Sequence, residues 1–209
     1  MGKLRTKRIG VMGGTFDPIH TGHLVTAEEA LHQFGLDEVV FIPSGHPPHK
    51  EDRESLDPED RYLMAVIATA ANPRFRVSRL EIERPGPSYT IDTVRELKRL
   101  YGANTEIYFI TGADAILEIL TWKDPERLLR EAMFIAATRP GYDLKRLEES
   151  LPEAEKERHA VEPRVLVMEI PALAISSTDI RARVREGRPI TYLVPQGVRE
   201  FIEKNGFYR

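Results

Sequence analysis

The sequence predicts an α/β fold, a doubly wound and mostly parallel sheet of about six strands. Two observations carry this. Short β-branched or aromatic runs recur along the chain, nearly continuous in apolar character as strands covered on both faces should be. Between them lie helical patterns with recognisable starts and crossover length, which is how parallel strands are joined. RIGVM (8–12) is the first strand, and a helix from about Gly22 to Phe34 follows it with Thr21 as cap. EVVFIP (38–43) is the second strand, and Asp57 with Pro58 caps and opens a helix to about Ala71. FRVSRLEI (75–82) reads as a third strand, and Thr90 opens a helix to about Tyr101. EIYFI (106–110) and MFIAA (133–137) flank the cap-then-proline signal of Asp124 and Pro125. RVLVMEI (164–170) completes the sheet. Ser176, with Asp179 three residues on, resembles a capping box for a helix ending near Gly187, and Pro195 opens a last helix through about Lys204.

Composition narrows the classes. The 209 residues are 41% hydrophobic and fit one domain over 1–209 better than two. With 33 acidic residues against 30 Lys and Arg, the net charge of −3 argues against a nonspecific nucleic-acid or membrane-surface binder. Any bound anion must be gripped locally. The chain has no cysteine, so disulfides, thiolate metal sites and cysteine nucleophiles are excluded. The N-terminal stretch forms no signal-peptide apolar region and no apolar run reaches membrane-spanning length, so a cytoplasmic protein is expected. SGHPPHKEDRESLDPED (44–60) reads as a polar connection and a candidate lid, and the charge-dense segment 144–163 as a solvated surface.

In a doubly wound sheet, ligands bind outside the carboxyl ends of the strands where helices begin. GGTFDPIHTGH (13–23) occupies that place after the first strand. Gly13 and Gly14 let the backbone approach something bulky, Thr15 offers a hydroxyl, and Asp17 with Pro18 fixes a turn. His20 in the loop and His23 in the first helical turn stand where free N–H groups and the helix dipole favour an anion. A plain βα turn with two exposed histidines, or zinc held by the pair, are the competing readings. No HExxH pattern or nearby third ligand supports zinc, and the spacing matches neither GxGxxG nor the Walker pattern.

GTFDPIHTGH resembles the GxFxPxHxGH motif of the nucleotidylyltransferase superfamily, and ISSTDIR (175–181) is similar to its ISSTxxR motif. The resemblance implies a Rossmann-like sheet of nucleotidylyltransferase type and adenylyl transfer from ATP to a phosphate-bearing acceptor, with release of pyrophosphate. Ile175, Ser176, Ser177 and Thr178 then join Gly13, Gly14, Thr15 and Phe16 in binding ATP, and Arg181 supplies a cationic fork for phosphate. A structural capping box is the alternative for Ser176 and Asp179.

PPHK (47–50), SYTIDT (88–93), GADAILEILTWKD (112–124), RPG (139–141) and YLVPQGVREFI (192–202) resemble segments of the bacterial nicotinate mononucleotide adenylyltransferases. The likeness covers nearly the whole chain and names nicotinate mononucleotide as acceptor. It adds Lys50 to His20, His23 and Arg181 as the groups acting on phosphate. It places Gly112, Asp114 and Arg139 near the adenosine, and Thr90, Trp122 and Lys123 at the mononucleotide, with Trp122 stacking on the pyridine ring. A helix cap is the alternative for Asp114, a core indole for Trp122 and a solvated side chain for Lys50. Magnesium is expected with ATP, without a dedicated protein metal cage. Small molecules are the expected partners, with no nucleic acid and no membrane, and a homo-oligomer stays open. The same chemistry on nicotinamide mononucleotide, on phosphopantetheine or on a sugar phosphate is the nearest alternative. A noncatalytic nucleotide sensor and a class I aminoacyl-tRNA synthetase stand further off, the latter for want of chain length and a second lysine-rich signature.

Overall fold

The computed structural model describes residues 6–46, 55–138, 164–171 and 174–209. In chain order the elements are β1 (Arg8–Gly14), α1 (Thr21–Gln33), β2 (Glu38–Pro43), α2 (Pro58–Thr69), β3 (Phe75–Val77), α3 (Leu80–Glu83), α4 (Thr90–Tyr101), β4 (Glu106–Gly112), α5 (Ala113–Leu117), α6 (Pro125–Glu131), β5 (Met133–Thr138), β6 (Val165–Glu169), α7 (Ser177–Arg185) and α8 (Gln196–Asn205). The strands form one six-stranded sheet in the order β3-β2-β1-β4-β5-β6, and every pairing is parallel. The chain leaves β1 in one direction and returns to its other edge with β4, so the topological switch point lies between them. The mostly parallel sheet expected from the sequence is wholly parallel among the described residues.

Strands buried on both faces need a core on each side, and two are present. Ile9, Val11, Val40, Ile107 and Phe134 pack under α3 to α6 through Leu80, Ile91, Val94, Ile116 and Leu128. On the other face Met12, Phe41, Ile110 and Ile135 meet α1, α2, α7 and α8 through Ala27, Leu31, Met64, Ile180, Val198 and Ile202. No helix among the described residues is long and apolar enough to cross a membrane.

Three local expectations change. The third strand ends at Val77, and residues 80–83 form a helical turn instead of continuing it. The Ser78 N–H makes the last rung to β2 on Phe41 O, and the Ser78 hydroxyl then accepts the Leu80 N–H, which favours a local turn over further strand. The cap of α1 is His20 rather than Thr21, which is the first helical residue. Asp114 lies inside α5, whose cap is Gly112, so it is not a helix cap. Ser176 does cap α7, accepting the Asp179 N–H at 3.1 Å.

Arg61 joins the ends of three segments. Its side chain is 1% exposed and lies on the face of α2 that also buries Met64 and Ala65. It donates to the carbonyls of Leu56 at 2.9 Å, Thr15 at 2.6 Å and Ser44 at 2.8 Å, and so fixes the turns that follow β1 and β2. Replacing it with an apolar chain removes three main-chain hydrogen bonds at once, the one to Ser44 O fully buried. Arg61→Met is expected to lower unfolding stability by about 3 kcal/mol, read as a lower denaturant midpoint at unchanged slope.

Candidate active site

A cavity of about 520 Å³ opens at the carboxyl ends of β1, β4 and β5. Met12, Gly13, Thr111, Gly112 and Thr138 form its floor, α1 supplies one wall, and Ile175 closes on it from the segment before α7. The position is the switch-point crevice that the strand order dictates.

His20 and His23 stand together in the α1 wall. Their rings stack with centroids 3.7 Å apart and 23° between planes, and Phe16 meets His23 edge-on at 5.1 Å. A Cβ at Gly22 would press on the pair, lying 3.1 Å from His20 Nδ1. The His20 backbone N–H donates to His23 Nδ1 at 3.2 Å, which leaves the His23 proton on Nε2. His20 Nδ1 is buried with no partner. Burial lowers the His20 pKa from 6.5 to about 4, and burial followed by the neighbouring His20 holds His23 well below the ordinary range. Both rings are therefore neutral donors at pH 7 in the free protein, rather than resident cations.

The two motifs meet directly. Ser177 Oγ donates to Pro18 O at 2.9 Å, and Arg181 Nη1 to Asp17 O at 2.7 Å. Thr21 is tied to the segment before α8 by its N–H on Leu193 O and its hydroxyl on Tyr192 O, both at 2.9 Å. Thr21 and His23 thus spend their backbone N–H groups on carbonyls, His23 on that of His20. With those amides engaged, the α1 start offers imidazoles and the helix dipole more than free amides.

The structure gathers Gly13, His20, His23, Gly112, Asp114 and Ile175 at the cavity. Gly13 and Gly14 are the last residues of β1, and a Cβ on Gly14 would press on the Phe16 ring at 3.3 Å. Thr15, Phe16, Ser176, Ser177, Thr178 and Arg181 are not among the residues that line the cavity, and Thr178 accepts weakly from Arg181 Nη2 at 3.4 Å. Thr90, Trp122 and Lys123 stand apart, on the α4 face of the sheet. Trp122 is half-buried and packs edge-on against Phe109 and Phe134, each at 6.2 Å, so part of its ring belongs to the core. Phe109 in turn abuts Gly13, where a Cβ would sit 3.1 Å from its ring. Lys123 pairs with Asp92 at 2.9 Å and lies over the Tyr89 ring. Ser88 and His46 exchange hydrogen bonds, pinning the SYT segment to the start of the 44–60 connection. Lys50 and Arg139 lie outside the described residues, as do 47–54 of the candidate lid and the segment 144–163.

Sequence reading missed Arg61, Glu81 and Tyr208. Arg61 carried a signal, since its i, i+3, i+4 spacing to Met64 and Ala65 sets it on a buried face. Glu81 is buried beneath the SYT segment, accepting from Thr93 Oγ1 at 2.6 Å, and burial raises its pKa.

A wholly parallel 3-2-1-4-5-6 sheet with paired histidines at its switch point and a serine-rich helix start joined to them defines a nucleotidyltransferase-type site. The family model for cytidylyltransferase-like proteins matches residues 11–183. Probable nicotinate-nucleotide adenylyltransferases from Moorella thermoacetica and Thermoanaerobacter are 61% identical over 206 residues and 54% identical over 205. Each alignment covers 98% of this chain, and 93% and 96% of those proteins. The chain belongs to the cytidylyltransferase-like family and, within it, to the nicotinate-nucleotide adenylyltransferases. Among solved structures, the Plasmodium falciparum nicotinic acid mononucleotide adenylyltransferase complexed with NaAD has the same fold. Its TM-score is 0.75 at 22% identity, and the match covers 97% of each chain.

The neutral histidines make stability depend on pH. In the unfolded chain they titrate near 6.5, and in the folded protein lower, so between the two values the unfolded state binds more protons. Stability is full above about pH 6.5 and falls on acidification toward about pH 4, with His20 alone contributing about 3 kcal/mol. Thermal melts across this range are expected to show that fall in the wild type and a flatter dependence in His20→Gln.

Proposed function

We propose that the chain transfers the adenylyl group of ATP to nicotinate mononucleotide, giving nicotinate adenine dinucleotide and pyrophosphate. The direct junction of the two motif loops beside a switch-point cavity holding His20 and His23 carries this reading. The names of the close relatives support the acceptor.

The acceptor phosphate is ionised at neutral pH and is itself the nucleophile. Its oxygen forms a bond to the α-phosphorus as the bond to the bridging oxygen breaks, and that electron pair leaves with pyrophosphate. No protein nucleophile or strong base is needed, so the protein's task is alignment and charge stabilisation. His23 lines the cavity with its proton on Nε2, and His20 beside it retains an unpartnered nitrogen. Neutral imidazoles donate without a bound counterion to displace, and an arriving triphosphate favours their protonation as charge builds on the leaving group. Arg181 faces the phosphates from α7. Lys50, from the 44–60 connection, is assigned to the same work. Gly13, Gly14, Thr15 and Phe16 shape the phosphate turn, and Ser176, Ser177 and Thr178 hold the opposite one. Gly112, Asp114, Ile175 and Arg139 border the adenosine, while Thr90, Trp122 and Lys123 receive the mononucleotide.

Among the described residues no three His, Cys, Asp or Glu side chains converge, and Asp114 is the carboxylate at the cavity. This donor set fits a magnesium ion carried in with ATP and held chiefly by phosphate oxygens and water. Bound there, the ion would shield the triphosphate charge. The reading treats 1–209 as one domain of a cytoplasmic enzyme with small-molecule substrates.

Pyrophosphate release with Mg-ATP and nicotinate mononucleotide tests the reaction, and kcat/KM is expected to be higher for that acceptor than for nicotinamide mononucleotide. His23→Ala is expected to keep the fold and lose about 10² to 10³ in turnover. Wild-type turnover in that variant would remove His23 from the mechanism, and a preference for the amide would reassign the acceptor.

A further inference from the structure

Asp17 sits inside the first motif and is buried, yet its carboxylate does not point into the cavity. Tyr208, which follows α8, donates its hydroxyl to Asp17 Oδ1 at 2.6 Å across 191 residues of sequence. The Leu56 N–H reaches the same oxygen at 3.4 Å. The other oxygen, Oδ2, forms a loose ion pair with Arg181 Nη1 at 3.9 Å, too long for a hydrogen bond. Arg181 makes its close bond to the Asp17 main-chain carbonyl. The guanidinium is thus paired with the buried carboxylate at a distance, without the close bidentate contact such a pair can form.

Tyr208 is held for this contact. Its backbone is in the left-handed region at φ 65°, which a tyrosine rarely adopts, after the Gly206 cap turns the chain back from α8. Phe207 and Tyr208 pack against the core that also contains Phe16 and Ile19, so the hydroxyl arrives on a fixed ring.

We infer that Tyr208 is a positioning residue for Arg181: by occupying Asp17 Oδ1 it stops the carboxylate from turning to form a bidentate pair with the guanidinium, and so keeps Arg181 available to the triphosphate. A buried carboxylate that loses a donor takes the nearest one remaining, and a planar cationic fork is the best partner within reach. An arginine so paired is lost to phosphate. The inference rests on the reading of Arg181 as a triphosphate ligand.

Tyr208→Phe removes the hydroxyl and retains the ring, so the fold and melting temperature are expected to stay close to wild type. KM for ATP should rise about tenfold while KM for nicotinate mononucleotide changes less than about twofold. A general loosening of the site would move both. The decisive arm is a double-mutant cycle with Arg181→Ala, in which adding Tyr208→Phe should cost less than about twofold further in KM for ATP. Additive costs overturn the coupling and leave the role of Arg181 standing. Equal rises for both substrates overturn it also. An Arg181→Ala variant with unchanged KM for ATP overturns both the coupling and the phosphate role.

Discussion

The carbonyl oxygens of Thr15, Asp17 and Pro18 follow the end of β1 and belong to no ladder, and main-chain carbonyls shielded from water need donors. Each finds one in a side chain far along the sequence: Arg61 for Thr15, Arg181 for Asp17 and Ser177 for Pro18. These bonds do more than satisfy a turn. They draw α2 and the start of α7 onto one short loop, and so bring the two motifs together beside the cavity that the paired histidines line. The loop's shape follows from which donors reach it, and the cavity's shape from the loop.

Electrostatics at the site follow from the same packing. The stacked rings at the head of α1 are desolvated by burial, and among the described residues neither has a carboxylate partner to hold its proton, so both stay neutral. A site built this way offers directional donors to an incoming polyanion and keeps its permanent positive charge on arginine. The protein as a whole carries a slight negative charge, so phosphate recognition depends on this local arrangement rather than on a surface field.

The sheet was legible because its strands are apolar throughout and its helices carry clear caps: Asp57 with Pro58, and Ser176, open α2 and α7 as read. The error at residues 75–82 arose where the Ser78 hydroxyl takes the nearby Leu80 N–H, which alternating polarity cannot reveal. The motifs named His20, His23 and Arg181, but not how they are supported. Donors such as Ser177 and Arg61 act on main-chain oxygens, and an acceptor carbonyl has no residue signature. Tyr208 was invisible for a related reason, since a phenol after a helix points nowhere until the tertiary fold supplies Asp17. For Trp122 the sequence offered a ligand-stacking indole or a core one, and the half-buried ring packs part of its edge on Phe109 of β4 and Phe134 of β5, because an indole is large enough to do both.

The central claim is that His23 is a neutral imidazole whose Nε2–H is aimed at phosphate. Nitrogen-15 NMR of the imidazoles, at neutral pH and then with a nonhydrolysable ATP analogue, tests it most directly. The account predicts an uncharged ring with the proton on Nε2 in the free enzyme, and a marked shift of that nitrogen on binding. A ring already charged without ligand, or a proton on Nδ1 and no response to the analogue, would contradict it.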